Sequence, residues 1–242
     1  MSPEPGSASR VIPANEYRRA RWRNQLGWTR EILARPEGED WDWRLSIAEI
    51  ERDAAFSSFP GIDRELVLLS GNGLRLRFDD GEVHELHPPH DRLRFAGERG
   101  VSGELLDGRT HDFNLMWRRA RVQAELWHRP LVGPMVIFAD PGTIWAVHLI
   151  AGQARFADAS GLPPLAAGDT AILEATRQRL RHVLDGGGEA LLVRIAPAAA
   201  KPGNDLPLDP AAKCGNLAPS TRGAVPPAHA SASSGDSSQQ IR

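Results

Sequence analysis

The sequence predicts an all-β protein of two tandem barrel-like halves with few, short helices, and three observations predict it. Apolar runs of strand length alternate with Gly, Pro and Asp turns from residue 10 to residue 197. Helical periodicity is weak throughout that zone. The first part of the zone also resembles the second at an offset of about 80 residues.

Taken in order, residues 1–9 read as a short polar, flexible lead. The best helical candidate is a single turn near residues 15–19. Trp43, Leu45 and Ile47 then alternate with Arg44, Ser46 and Ala48, giving an extended segment two distinct faces. Residues 65–69 and 74–78 read as strands around Gly71-Asn72-Gly73, and a second hairpin turn follows at Asp79-Asp80-Gly81. Residues 145–150, 171–173 and 190–195 are further strands.

The repeat organises these elements. Glu65-Leu-Val-Leu-Leu-Ser-Gly71, followed by a strand ending in Phe78, matches Ala146-Val-His-Leu-Ile-Ala-Gly152, followed by a strand containing Phe156. His90-Asp91 before Leu93-Arg94-Phe95 matches Gly168-Asp169 before Ala171-Ile172-Leu173. Asp107-Gly108 and Gly186-Gly187-Gly188 then precede the closing strands. A strand, a Gly turn, a strand, a Gly-Asp turn and another strand form the pattern of a cupin barrel, because the tight turns let the sheet fold back on itself. Two such modules predict a bicupin of RmlC-like jelly rolls, with halves at 10–125 and 126–197. From Ala198 the chain becomes rich in Ala, Pro, Ser and Gly and lacks aromatics. Too little apolar surface is available there to offset ordering entropy, so 198–242 is expected to be a disordered tail.

Composition limits the partners. Of 242 residues, 29 are basic and 31 acidic, a formal charge of −2, which gives no bulk attraction to nucleic acid or anionic lipid. The stretch Arg18-Arg19-Ala20-Arg21-Trp22-Arg23 interleaves basic and aromatic residues, yet the near-neutral total argues against a nucleic-acid partner. Lys201 and Lys213 are the only lysines, so nearly all positive charge is arginine, the better fork for carboxylates. The single Cys214 permits no disulfide framework within one chain. Residues 1–10 lack an apolar signal core and no apolar run reaches membrane-spanning length, so a cytoplasmic protein without membrane contact is expected.

Metal ligation within the barrel requires histidines on one strand face. His84, His87 and His90 are spaced by three, and Pro88-Pro89 breaks any helix that could align them. His148 and His182 are isolated, so neither a metal nor another cofactor is expected. Phosphate-loop, nucleophile-elbow and zinc-protease motifs are absent.

Polar residues directed into a barrel need partners or a ligand. Three clusters interleave polar and large apolar residues: 21–32; 42–47 with 56–64; and 112–119. From them Asn24, Trp28, Arg44, Ser46, Phe59, Asn114 and Met116 are the candidate ligand-binding residues. Asp63, Arg64, Asp112 and Arg118 are expected behind them, pairing internally. Asp42, His87 and His111 are the candidates for a general base if the chain is an enzyme, an isomerase or a hydrolase.

The strings Asp42-Trp-Arg-Leu-Ser-Ile-Ala48, Phe56-Ser-Ser-Phe-Pro-Gly-Ile-Asp-Arg64 and Asp112-Phe-Asn-Leu-Met-Trp-Arg-Arg119 resemble the HutD/Ves family, as does the run from Trp22 to Ile32. The resemblance covers roughly residues 10–197. One departure concerns Asn24-Gln25-Leu26-Gly27, where family members often have Asn-Gly-x-Gly. The resemblance implies a bicupin associated with histidine utilisation and histidine catabolism. It implies a non-catalytic protein that binds a small anionic intermediate such as urocanate or formylglutamate and acts in regulation, with a homodimer plausible from cupin edge pairing.

Overall fold

The computed structural model describes residues 8–22 and 25–199; all but the first two residues of the expected tail and most of the expected lead lie outside them. In chain order the strands are β1 (Arg10–Ile12), β2 (Arg18–Arg21), β3 (Gly27–Arg35), β4 (Trp43–Ile50), β5 (Ala54–Ala55) and β6 (Ile62–Ser70). There follow β7 (Leu74–Phe78), β8 (Val83–Leu86), β9 (Arg92–Ala96), β10 (Val101–Leu105), β11 (Thr110–Arg118) and β12 (Val122–Val132). The last are β13 (Met135–Ala139), β14 (Ile144–Phe156), β15 (Leu165–Ala166), β16 (Thr170–Glu174) and β17 (Leu180–Pro197). Among the described residues helix is confined to two single 3-10 turns, Ala14–Glu16 and Asp158–Ser160. The turn expected at 15–19 therefore stops early, because Arg18 already pairs with Glu31 on β3.

The strands form three sheets: six in the order β2-β3-β4-β11-β6-β9, four in the order β5-β10-β7-β8, and seven along β1-β16-β14-β17-β12, with β13 and β15 attached to β17 and β14. The short β1 pairs with β16, Val11 opposite Ala171, and so adds to the sheet built from the later part of the chain. No helix among the described residues is long and apolar enough to cross a membrane.

The six-stranded sheet is covered on both faces, and the alternation of its residues shows why. Trp43, Leu45 and Ile47 of β4 and Phe113, Leu115 and Trp117 of β11 face the seven-stranded sheet, packing against Leu126, Ile172, Leu191 and Val193. The intervening positions face the four-stranded sheet, where Ala48, Leu66 and Leu68 meet Leu74, Leu76, Phe78 and Val101. A separate core of Val147, Leu149, Phe156, Leu173, Leu184 and Leu192 fills the other face of the seven-stranded sheet.

Gly71-Asn72-Gly73 does not close a hairpin. β6 pairs with β9 and β11, whereas β7 pairs with β8 and β10, so this turn carries the chain from one sheet to the facing one. Gly71 has φ +108°, and a Cβ there would stand 2.7 Å from the Arg109 carbonyl oxygen, so both conformation and space require glycine. Asp79-Asp80-Gly81 does close a hairpin, joining the paired β7 and β8.

Candidate functional site

A cavity of about 590 Å³ lies on the interior face of the six-stranded sheet. Strand register builds its floor. Met116 on β11 pairs with Arg44 on one side and Arg64 on the other, while Asn114 pairs with Ser46 and Leu66. Residues two apart share a face, so Arg44, Ser46, Arg64, Asn114 and Met116 all present their side chains to one space. Phe56 and Phe59, from the segment joining β5 to β6, wall it, with Trp22, Arg21 and Thr29 at the β2–β3 end.

The charge in this space is one-sided. Among the described residues its lining includes Arg21, Arg44 and Arg64 and no carboxylate. Arg21 is drawn outward to Glu51 at 2.9 Å, and Arg44 Nε donates to Glu31 at 2.8 Å. Arg64 has no such counterion among the described residues. It is buried, one amino group donates to Asn114 Oδ1 at 3.0 Å, and its Nε meets no acceptor. Phe95, Phe56 and Phe59 surround its guanidinium at 5.1, 5.2 and 5.8 Å from their ring centres. Burial, assisted by repulsion from Arg44, pushes its pKa down to about 10, so it still carries its charge at neutral pH. The three aromatic faces offset part of the desolvation cost, but no anion neutralises the site.

Of the candidate ligand-binding residues, the structure places Arg44, Ser46, Phe59, Asn114 and Met116 around this one cavity. Asn24 lies outside the described residues. Trp28 faces the opposite side of β3 from Thr29, held under Arg19 and Arg21 at 4.1 and 4.7 Å. The tryptophan at the cavity is Trp22, whose indole N–H donates to Thr29 Oγ1 at 2.8 Å and whose ring meets Phe56 edge-on. Trp22 and Phe56 stand in the same motifs, but strand parity beside the β2–β3 turn was needed to choose between the two tryptophans.

The four residues expected as internal partners separate. Arg64 lines the cavity itself. Asp63 points to the other face of β6, pairing with Arg94 at 3.0 Å and Arg119 at 2.8 Å. Arg118 pairs with Asp40 at 2.6 Å on the surface. Asp112 is wholly buried without an arginine; the Thr110 hydroxyl donates to it at 2.7 Å, and burial raises its pKa to about 7. The three general-base candidates also lie away from the cavity: Asp42 pairs with Arg121, His87 with Glu85, and half-buried His111 projects from the other face of β11. In the basic stretch, Arg18 and Arg19 are tied to Glu31 and Glu49.

Gln25 adopts φ +60°, left-handed backbone that glycine would occupy without strain. This is the position at which the resembling family pattern often carries glycine.

These features define a cupin-like all-β protein with a cationic, aromatic-walled cavity on one sheet, and comparison with known proteins agrees. The chain is 28% identical to HutD from Pseudomonas fluorescens SBW25, whose structure superposes with a TM-score of 0.68 over 78% of this chain and 99% of that one. A cupin 2 conserved barrel domain protein from Leptotrichia buccalis matches at a TM-score of 0.50 and 12% identity, covering 81% of this chain and all of that one, a likeness of fold alone. In sequence, 123 residues are 42% identical to an uncharacterized 21.2 kDa protein in the hutC 3′ region of Pseudomonas putida, covering 50% of this chain and 64% of that protein. Protein Ves of Cronobacter sakazakii is 42% identical over 106 residues, 43% of this chain and 58% of that one. The aligned stretches thus span less than two thirds of both relatives. The HutD family profile matches residues 14–192. The chain belongs to the HutD family.

Proposed function

We propose that this protein binds a small carboxylate in the cavity beside Arg64 and serves, without catalysing a reaction, as a metabolite sensor or regulator in histidine utilisation. The observation that carries this reading is the buried Arg64 guanidinium, open to the cavity and without a counterion among the described residues. A carboxylate there accepts charge-assisted hydrogen bonds from Arg64 and, at the rim, from Arg44. Asn114 and Ser46 supply neutral partners, and Trp22, Phe56 and Phe59 cover an imidazole or alkyl body. The hutC-region position of the Pseudomonas putida relative points to histidine breakdown, making urocanate and N-formylglutamate the acids of choice. Among the described residues the lining offers neither a carboxylate nor a histidine as proton acceptor, which favours binding over turnover.

Calorimetric titration with urocanate, N-formylglutamate and their uncharged amides tests the reading. Saturable one-to-one binding of an acid, weakened about 30-fold or more in its amide and without product formation, is expected. Equal binding of acid and amide, or none of either, overturns it.

A further inference from the structure

A second cluster lies outside the cavity and shares no residue with it. His90 precedes β9, His128 lies on β12 and Glu189 on β17. Glu189 Oε2 stands 2.8 Å from His90 Nε2 and 3.1 Å from His128 Nε2. We propose that these three atoms bind a divalent transition-metal cation.

The backbone gathers them from distant parts of the chain. Glu189 pairs with Pro130, so His128, two residues before Pro130, lies diagonally across from Glu189 on the same face. His90 reaches them from the other part of the chain, its ring centre 4.7 Å from that of His128. The ligand atoms all lie within 4.8 Å of one another. Ligands about 2.0–2.1 Å from a tetrahedral zinc stand roughly 3.3 Å apart, so a small outward shift admits the ion.

Hydrogen bonding sets the donor pair at His90. Its Nδ1 stands 3.2 Å from the Leu68 carbonyl oxygen, an atom that only accepts, so the ring proton belongs on Nδ1. In the neutral ring the Nε2 lone pair then faces the Glu189 carboxylate, an acceptor opposite an acceptor, a conflict that either a second ring proton or a metal cation between them resolves. A backbone carbonyl holding the far nitrogen is also how metal-ligating histidines are oriented. Two imidazoles and one carboxylate suit zinc, cobalt, nickel or iron(II) better than calcium or magnesium, and leave coordination positions for water or an exogenous ligand.

The turn carrying His90 supplies an independent observation. His87 N–H donates to Asp91 Oδ2 just as Ala166 N–H donates to Asp169 Oδ2 in the later turn. Leu68 N–H and Leu149 N–H donate to the carbonyls of those same aspartates. His90 thus stands where the later turn has Gly168, and both adopt positive φ, +60° and +94°. Glycine accepts that conformation freely; a histidine there is strained, and it places an imidazole where the later turn has no side chain. With the ion bound, the turn before β9 is tied to β12 and β17 of the seven-stranded sheet.

The test uses the untagged full-length chain, stripped with chelator and titrated with Co²⁺ and then Zn²⁺. One Co²⁺ per chain with visible d–d absorption is expected, displaced by Zn²⁺. Zinc at about a hundredfold excess over its Kd should raise the thermal midpoint by roughly 5–10 °C. His128→Ala and Glu189→Gln should each weaken binding on the order of 100-fold. His90→Gly should abolish binding while the metal-free midpoint stays level or rises, because glycine relieves the strained turn. A wild type without Co²⁺ absorption or a Zn²⁺-dependent midpoint, or His128→Ala and Glu189→Gln variants that keep both, overturns the site. Should His90→Gly fail to fold, the partly exposed His128 and Glu189 still decide it.

Discussion

The Arg64 guanidinium donates to Asn114 Oδ1 at 3.0 Å and meets no carboxylate among the described residues. The two side chains come from adjacent strands, β6 and β11, on the interior face of the sheet. An amide oxygen is a weak counterpart for a buried cation, so the pair holds the guanidinium in position without neutralising it. Such a site is costly in the free protein, and an anion bound there would relieve that cost.

Arg64→Met should therefore act in opposite directions on stability and binding. Methionine keeps the apolar bulk among Phe56, Phe59 and Phe95 and removes the unpaired charge. Urea unfolding of the ligand-free variant should show a gain of about 1–4 kcal/mol, and calorimetry should show carboxylate binding lost. A destabilised free variant would mean that Arg64 is a structural arginine.

Arg44→Ala removes the second cation and leaves Glu31 with Arg18 as its remaining partner at the cavity rim. Both the lost attraction and the newly exposed carboxylate oppose an anion. Carboxylate affinity should fall by about 2 kcal/mol or more. Unchanged affinity would exclude Arg44 from the site.

Gly71→Ala probes the fold rather than the cavity. Its Cβ would meet the Arg109 carbonyl at 2.7 Å and Thr110 Cγ2 at 2.9 Å, in a backbone conformation that alanine avoids. A loss of about 2 kcal/mol or more in urea unfolding is expected, with carboxylate affinity in the folded fraction unchanged. A neutral result would show that the crossing between the two sheets is pliable there.

Much of this architecture is legible in the amino-acid order because period two is visible along one strand. Trp43, Leu45 and Ile47 against Arg44, Ser46 and Ala48 already show two faces, and both faces prove to be interior. What a single strand cannot show is which strand lies beside it. Arg64 and Asp112 read, with Asp63 and Arg118, as members of internal ion pairs, yet register sets Arg64 beside Met116 and leaves Asp112 between Ala48 and Leu68. Trp28 and Trp22 were separable only once the β2–β3 pairing was known. His128 and Glu189 lie 61 residues apart, and His90 stands 99 residues from Glu189, so no local spacing announces their meeting.

Two buried groups oppose each other in pH dependence. Burial raises Asp112 to about 7 from an ordinary 3.8, so its contribution to stability is full below about pH 4 and fades as pH rises through 7. His148, packed against Phe113 with its Nδ1 3.0 Å from Thr170 Oγ1, is lowered by burial to about 4 from an ordinary 6.5. Its contribution is full above about pH 6.5 and fades as pH falls toward 4. Between these limits each changes stability by up to about 1.4 kcal/mol per pH unit, in opposite senses, and the two largely cancel. Asp112→Asn removes the falling contribution and leaves that of His148 unopposed. Exposed acids such as Glu98, held low by Arg119, act alike in both proteins, so the difference between the two curves isolates the buried carboxyl. Urea unfolding at pH 4.5, 5.5 and 6.5 should show the variant gaining on the wild type by on the order of 2 kcal/mol across that range. Parallel curves would mean that Asp112 is already ionised in the native protein, with a cation or water beside its second oxygen.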